Sequence, residues 1–380
     1  MDAANTIFTH ADKPLKKGSR LIIAGGGTGG HIFPAIAIAK ALQRLDDSVE
    51  LLFVGAKGKM EMERIPEAGF TIRGIDIAGY NRNSLLKNIS LPYKLVQSFF
   101  QVKKILKEFN PDAVLGVGGY SSFPVLRLAQ SKGIPTFIHE ANSLPGKSNM
   151  MLAKKAEKVF VASDGMDKYF PIGKSMITGN PVRKALTMPI PKDEALKFFG
   201  LQEGRKTVFV LGGSLGAKSI NETIEANADF FKKKDLQLIW QTGKDFSERA
   251  ARIEEENKNM WTNAFITQIE NAYAAADIVI ARAGAMTVAE LCVVRKAAIF
   301  VPYPFAAEDH QTVNAMALVN KSAAHMVPDS QVSTKLIPEL LTLVENEGVV
   351  KLIQANISKL SITDADEVIA KEILKHISNG

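Results

Sequence analysis

Two glycine-rich turns carry the residue types from which phosphate chemistry is built. The first, Gly25-Gly26-Gly27-Thr28-Gly29-Gly30, follows the apolar run Leu21–Ala24 and leads directly into His31. The second, Gly212-Gly213-Ser214-Leu215-Gly216-Ala217, follows Thr207–Leu211. A strand that breaks on glycines and opens a helix presents backbone N–H groups at the helix N-terminus. It also lets an oxygen-rich ligand approach with no Cβ in the way. Imidazole titrates close to neutral pH, so His31 reads either as a general base or as a phosphate contact. A third turn, Arg282-Ala283-Gly284, opens the run Ala285-Met286-Thr287-Val288-Ala289-Glu290. Its carboxylate is costly to bury unpaired, and two hydroxyls of a ribose would satisfy it.

These residues need a scaffold, and the chain alternates short apolar strands with amphipathic helical runs throughout, the pattern of a parallel sheet covered on both faces. In the first half the strands read 21–24, 50–54, 113–117, 136–139 and 158–162, with helices such as 34–45 and 92–109 between them. In the second half they read 207–211, 237–241, 264–266, 278–281 and 298–301. The fold class is therefore α/β, with two Rossmann-like, doubly wound domains facing a cleft. Residues 1–19 read as a flexible tail, 20–183 as the N-terminal domain and 184–361 as the C-terminal domain. Residues 362–380 read as a final helix packing back on the N-terminal domain. The stretch from Gly179-Asn180-Pro181-Val182-Arg183 to Pro191 is the expected hinge, because its prolines suppress a continuous helix.

Composition narrows the class. The 380 residues are 46% hydrophobic and 23% charged, enough apolar material for two cores. No run reaches the ~18 uncharged apolar residues a membrane span requires. One cysteine, Cys292, excludes an internal disulfide, and its apolar neighbours predict a buried thiol. The strand 50–54 is followed by Gly55-Ala56-Lys57-Gly58-Lys59, without the carboxylate that grips the ribose in a nicotinamide-cofactor site, so an NAD oxidoreductase is disfavoured. The net charge of +7 is uneven. Between residues 70 and 110, Arg73, Arg82, Lys87, Lys94, Lys103, Lys104 and Lys107 face only Asp76 and Glu108, interleaved with large apolar side chains. Such a surface binds anionic membranes. The plainer reading of 93–108 is a helix with one face on a sheet and its lysines in water.

Taken in order, GGGTGGHIFPA, GVGGYSS (116–122), HEANSLPG (139–146), GNPVR (179–183), GGSLGA, RAGAMTVAE and EDHQTVNA (308–315) resemble the bacterial peptidoglycan glycosyltransferase family. The ordered set spans residues 20–315. The resemblance implies a GT-B fold and an inverting transfer of N-acetylglucosamine. The donor would be UDP-N-acetylglucosamine and the acceptor the C4 hydroxyl of undecaprenyl-diphospho-N-acetylmuramoyl-pentapeptide. It implies that Glu290 binds the ribose hydroxyls, that Ile266 meets the uracil through its backbone, and that Ser214 holds the diphosphate with its turn. Ala285, Met286, Thr287, Val288 and Ala289 belong to the same donor segment. Gln311, with His310 beside it, would read the sugar hydroxyls, and Arg183 would lie near the nucleotide. Thr28, Gly29, Gly30 and Asn142 would approach the donor from the N-terminal side. His139 and Glu140, which end a strand, either face the cleft or hold Asn142. Tyr120 either positions the acceptor or packs on the surface. Two positions depart from the family pattern: Leu215 stands where a polar residue is common, and Ala283 where serine is common.

Inverting displacement of a nucleoside diphosphate needs a base, an anion cradle and alignment of the two substrates. Helix N-termini supply the cradle, so no obligatory metal or other cofactor is expected. The sole Asp-x-Asp pair, Asp364-Ala365-Asp366, sits at a helix start and reads as structural. The implied setting is peripheral, on the cytoplasmic face of the bacterial inner membrane, alongside cell-wall synthesis and division proteins and without nucleic acid. Alternatives are another GT-B glycolipid glycosyltransferase, a UDP-sugar epimerase, or a non-catalytic UDP-sugar sensor.

Overall fold

The computed structural model describes residues 18–79, 91–213 and 216–379. Arg82 and Lys87 of the basic segment, together with Ser214 and Leu215 of the second glycine turn, lie outside the described residues, as does nearly all of the 1–19 tail. Among the described residues, thirteen strands form two parallel sheets. The first holds β1 (Arg20–Ala24), β2 (Glu50–Ala56), β3 (Ile72–Ile75), β4 (Ala113–Gly116), β5 (Thr136–Glu140), β6 (Lys158–Val161) and β7 (Ser175–Ile177), in the order β3-β2-β1-β4-β5-β6-β7. The second holds β8 (Thr207–Leu211), β9 (Gln237–Gln241), β10 (Met260–Asn263), β11 (Ile278–Ala281), β12 (Ala297–Phe300) and β13 (His325–Met326), in the order β10-β9-β8-β11-β12-β13.

Both sheets thus repeat one plan, in which the first strand of each half lies between its second and fourth. The central strands β4, β5, β8, β9, β11 and β12 are buried along their whole length. Helices on both faces force this, and it explains why these strands read as continuous apolar runs. The strands that sequence reasoning missed, β3, β7 and β13, are short and partly exposed. Ile72-Arg73-Gly74-Ile75, at a sheet edge, is covered less and carries no such run. The strand expected at 264–266 is instead β10, at Met260–Asn263, paired in parallel with β9 through Trp261 and Ile239. Residues 264–266 are the loop that follows it.

The chain divides into two compact units. One holds Met1–His139, Leu152–Lys158 and Asp366–Gly380, and the other Glu140–Met151 and Val159–Ala365. The sequence drew its boundary at 183/184; compactness draws it just after His139 and again at the start of β6. In the first unit the terminal Ala365–Asn379 helix is tied down by Arg44 Nη2, 2.8 Å from Asp366 Oδ2, and by His376 meeting Phe137 edge-on at 5.4 Å. Asp366 is therefore half of a structural ion pair. In the second unit the core lies on both faces of β8–β13, with Trp240, Tyr273, Phe209, Phe231 and Phe300 fully buried.

The helix after β1, α1 (Gly29–Leu45), begins five residues before the expected start at Pro34. Thr28 is its N-cap, and its carbonyl accepts the N–H groups of both His31 and Ile32 at 3.1 Å. The proline that suggested a helix start sits inside the helix, where its missing N–H leaves the Gly30 carbonyl unclaimed by the ladder. His31 consequently lies in the first turn.

Candidate functional site

In doubly wound sheets ligands bind beyond the C-terminal ends of the strands, where the strand order reverses. Those points lie between β1 and β4 in the first sheet and between β8 and β11 in the second. The motifs fall on both.

In the first unit, the turn Gly25–Gly27 leaves β1, and the 118–120 turn leaves β4. The Gly26 N–H donates to the Gly118 carbonyl at 3.2 Å and joins them. His31 Nδ1 donates to the Gly26 carbonyl at 3.0 Å, with Thr28 Oγ1 3.3 Å from the same nitrogen. This assigns the ring proton to Nδ1 and the lone pair to Nε2. Gly118 has φ +95°, and a Cβ there would lie 2.8 Å from His31 Nε2, so the backbone approaches the imidazole as closely as a glycine allows. Gly29 and Gly30 are partly exposed, and Thr28 is exposed. Tyr120 is 54% exposed, but one side of its ring lies against Gly79, where a Cβ would overlap it.

One residue of this site escaped sequence reasoning. Glu61 opens α2 (Glu61–Glu67), is only 1% exposed, and its carboxylate accepts the Ala56 N–H at 3.0 Å and the Gly27 N–H at 2.8 Å. A carboxylate does serve the first glycine turn. It comes from the helix after β2 instead of the end of that strand, which is where the dinucleotide pattern looks for one.

In the second unit, the Ala285–Val294 helix starts at Gly284, and its first N–H groups point beyond β11. Ala285 through Ala289 are half-buried along it. Glu290 is 5% exposed. Its Oε2 accepts the Tyr273 hydroxyl at 3.1 Å, and its Oε1 lies 3.3 Å from Arg183 Nε. Burial pushes the carboxyl above its ordinary value, while Arg183 and Tyr273 pull it back. Burial likewise raises the Tyr273 phenol, helped by the Glu290 charge. Sequence reasoning missed Tyr273, which sits on the Ile269–Ala275 helix like any core aromatic; only the fold aims its hydroxyl at Glu290.

The other residues expected to meet the donor have partners of their own. Ile266 is buried, and its N–H donates to Gln241 Oε1 at 3.0 Å. The Gln311 side chain accepts the Tyr303 N–H at 2.9 Å, and His310 Nδ1 donates to the Ala307 carbonyl at 2.6 Å. The preceding residues Glu308 and Asp309 both take φ +54°, a strained left-handed pair for non-glycine residues. Asn142 belongs to the second unit, although the sequence grouped it with Thr28 and Gly30. Glu140 Oε1 accepts its backbone N–H at 3.0 Å and its Nδ2 at 3.3 Å, and Asn142 Oδ1 accepts from Asn314 Nδ2. Asn314 also donates to the Ala283 carbonyl and accepts the Ser143 N–H. The carboxylate predicted to hold Asn142 does so. His139, buried at the end of β5, stays in the first unit. A cavity of about 250 Å³, lined in part by Asn180, Val288, Cys292 and Lys321, opens beside the Ala285–Val294 helix, and the Cys292 thiol there is pushed up to about 12 by burial.

Two doubly wound parallel sheets of one strand order, each with a glycine turn at its reversal point, define the GT-B architecture. Residues 21–161 match the glycosyltransferase family 28 N-terminal domain, and residues 207–372 match its C-terminal domain. The chain belongs to glycosyltransferase family 28. It is 46% identical over 361 residues to a Bacteroides fragilis protein named UDP-N-acetylglucosamine--N-acetylmuramyl-(pentapeptide) pyrophosphoryl-undecaprenol N-acetylglucosamine transferase. That alignment covers 94% of this chain and 95% of the relative. Among solved structures, Acinetobacter baumannii MurG aligns with a TM-score of 0.76 at 28% identity, covering 94% of this chain and 99% of that one. A UDP-GlcNAc 2-epimerase from Neisseria meningitidis shares the fold alone, with a TM-score of 0.64 at 16% identity over 94% of this chain and all of its own.

Proposed function

We propose that this protein transfers N-acetylglucosamine from UDP-N-acetylglucosamine to the C4 hydroxyl of undecaprenyl-diphospho-N-acetylmuramoyl-pentapeptide, with inversion. The near-full-length likeness to a relative named for this transfer carries the reading. The buried Glu290 supports it, because a carboxylate costly to keep dry is well spent accepting two ribose hydroxyls. Arg183 stands beside it near the nucleotide, the Ile266 backbone meets the uracil, and Gln311, Asn142 and His310 read the sugar. Ser214, its turn and the head of the Ala285–Val294 helix hold the diphosphate.

In the reaction, His31 Nε2 takes the acceptor proton as the hydroxyl oxygen attacks the anomeric carbon. The bond from that carbon to the diphosphate oxygen breaks with its electron pair, and helix N-terminal N–H groups meet the growing charge. Thr28, Gly29 and Gly30 of the first unit are read as contacts to the donor's phosphate and sugar. No metal is assigned a step.

The membrane half of the reading rests on α3 (Leu91–Phe109). Tyr93, Val96 and Phe100 are 71%, 56% and 69% exposed at helical spacing, with Lys94, Lys103, Lys104 and Lys107 on the same helix. This basic-apolar face docks on an anionic leaflet as a peripheral surface, on the cytoplasmic side. Among the described residues no helix is long and apolar enough to cross a membrane.

The test is transfer of labelled N-acetylglucosamine to a short-chain lipid-linked muramoyl-pentapeptide, with chelator present, for the wild type and His31→Ala. Transfer by the wild type, lost in the variant with donor affinity intact, is the expected result. Conversion of UDP-N-acetylglucosamine without acceptor identifies an epimerase, and tight donor binding without turnover identifies a sensor.

A further inference from the structure

A single peptide unit joins Glu61 to His31. The N–H of the Gly26–Gly27 peptide donates to Glu61 Oε2 at 2.8 Å, and the carbonyl of the same peptide accepts His31 Nδ1–H at 3.0 Å. The cradle is shaped for this carboxylate. A Cβ on Gly26 would overlap its carbon and both oxygens, and one on Gly55 would lie 2.5 Å from its Cγ. Its other oxygen is held by the Ala56 N–H.

We propose that Glu61 is a positioning residue for His31, acting through the Gly26–Gly27 peptide as the acidic member of a carboxylate–peptide–imidazole relay. A carboxylate on the N–H side polarises the amide and makes its carbonyl a stronger acceptor. That carbonyl then holds the imidazole in the Nδ1–H tautomer and stabilises the imidazolium formed when Nε2 takes the hydroxyl proton. This is the work an aspartate does by direct contact in a hydrolase triad. Here the carboxylate is buried behind the turn, out of reach of substrate. The proton passes only from the acceptor hydroxyl to Nε2; Glu61 and the peptide exchange none. The relay rests on the reading of His31 as the base.

Among the described residues His31 meets the Thr28 hydroxyl, the Gly26 carbonyl and the Gly118 turn, and the titratable group bonded to its turn is Glu61. A unit charge one peptide away in a partly buried site shifts an imidazole by about one pH unit.

The test uses the full chain carrying Glu61→Gln, which keeps the shape and removes the charge. His31 is followed by NMR of labelled histidine, its signal assigned by its absence in His31→Ala. The expected result is a downward shift of about one unit in the His31 titration and a matching shift of the acid limb of kcat to lower pH. The plateau falls several-fold, while calorimetric affinity for UDP-N-acetylglucosamine is unchanged. In the His31→Ala background, E61Q leaves the residual rate untouched. An unmoved His31 titration, or an equal loss of rate in both backgrounds, overturns the relay. Should E61Q not fold, Glu61→Asp retains the charge but draws it back, and a smaller shift in the same direction is expected; no shift overturns the proposal. His31→Ala with undiminished kcat refutes the base assignment itself, a result distinct from any obtained with Glu61.

Discussion

Glu290 is the sharpest place to trade stability against function. Its carboxyl is buried and raised above the ordinary 4.5, and among the described residues Arg183 and Tyr273 offset the cost. Arg183 keeps about a third of its side chain in solvent, so it tolerates losing its partner. In Glu290→Gln the shape survives, and the amide oxygen still accepts the Tyr273 hydroxyl. What is lost is the charge. A charge-assisted hydrogen bond to a ribose hydroxyl contributes about 1.5–3 kcal/mol, so donor affinity should fall roughly ten- to hundredfold. Stability runs the other way. A carboxyl whose value is raised by folding contributes most below its unfolded value and loses that contribution as pH rises through the raised one. The wild type therefore gives up stability from mildly acidic toward neutral pH, and the variant does not. Urea melts between pH 5 and 8 should show the difference, variant minus wild type, growing with pH. Isothermal titration with UDP-N-acetylglucosamine and with its 2′-deoxyuridine analogue completes the test: the wild type discriminates between them and the variant does not. Undiminished affinity in E290Q, or a stability difference that shrinks with pH, would refute the argument.

Gly118→Ala places a Cβ 2.8 Å from the His31 ring in a left-handed backbone. Its kcat should drop at least tenfold with donor affinity kept, as measured by steady-state transfer and calorimetry. Tyr273→Phe leaves Glu290 Oε2 without its buried donor and should cost about 1–3 kcal/mol at pH 7.5 in urea melts, less at pH 5 where the carboxyl holds its proton more often. Arg44→Ala strands Asp366, whose side chain is only 10% exposed, and should lower the melting temperature by several degrees with full donor binding. The Cys292 thiol, pushed up to about 12, should react with iodoacetamide at pH 8 far more slowly in the native protein than in urea.

The amino-acid sequence by itself determined the two-sheet α/β plan, because strands buried on both faces must be continuously apolar, as in Val208–Leu211 and Ile278–Ala281. It also located the glycine turns at the strand ends, because a tight strand-to-helix turn needs a residue without a Cβ. It under-read the edges. Ile72-Arg73-Gly74-Ile75 and His325-Met326 are strands only because a neighbour pairs with them. What the tertiary structure alone decided is partnership. Glu61 lies 34 residues from Gly27, and Tyr273 lies 17 from Glu290, spacings that no local pattern encodes. Asn142 falls in the second unit, where it bonds Glu140 and Asn314, the latter 172 residues away. A buried charge or amide takes its meaning from the group that satisfies it, and that group is chosen by how the chain packs.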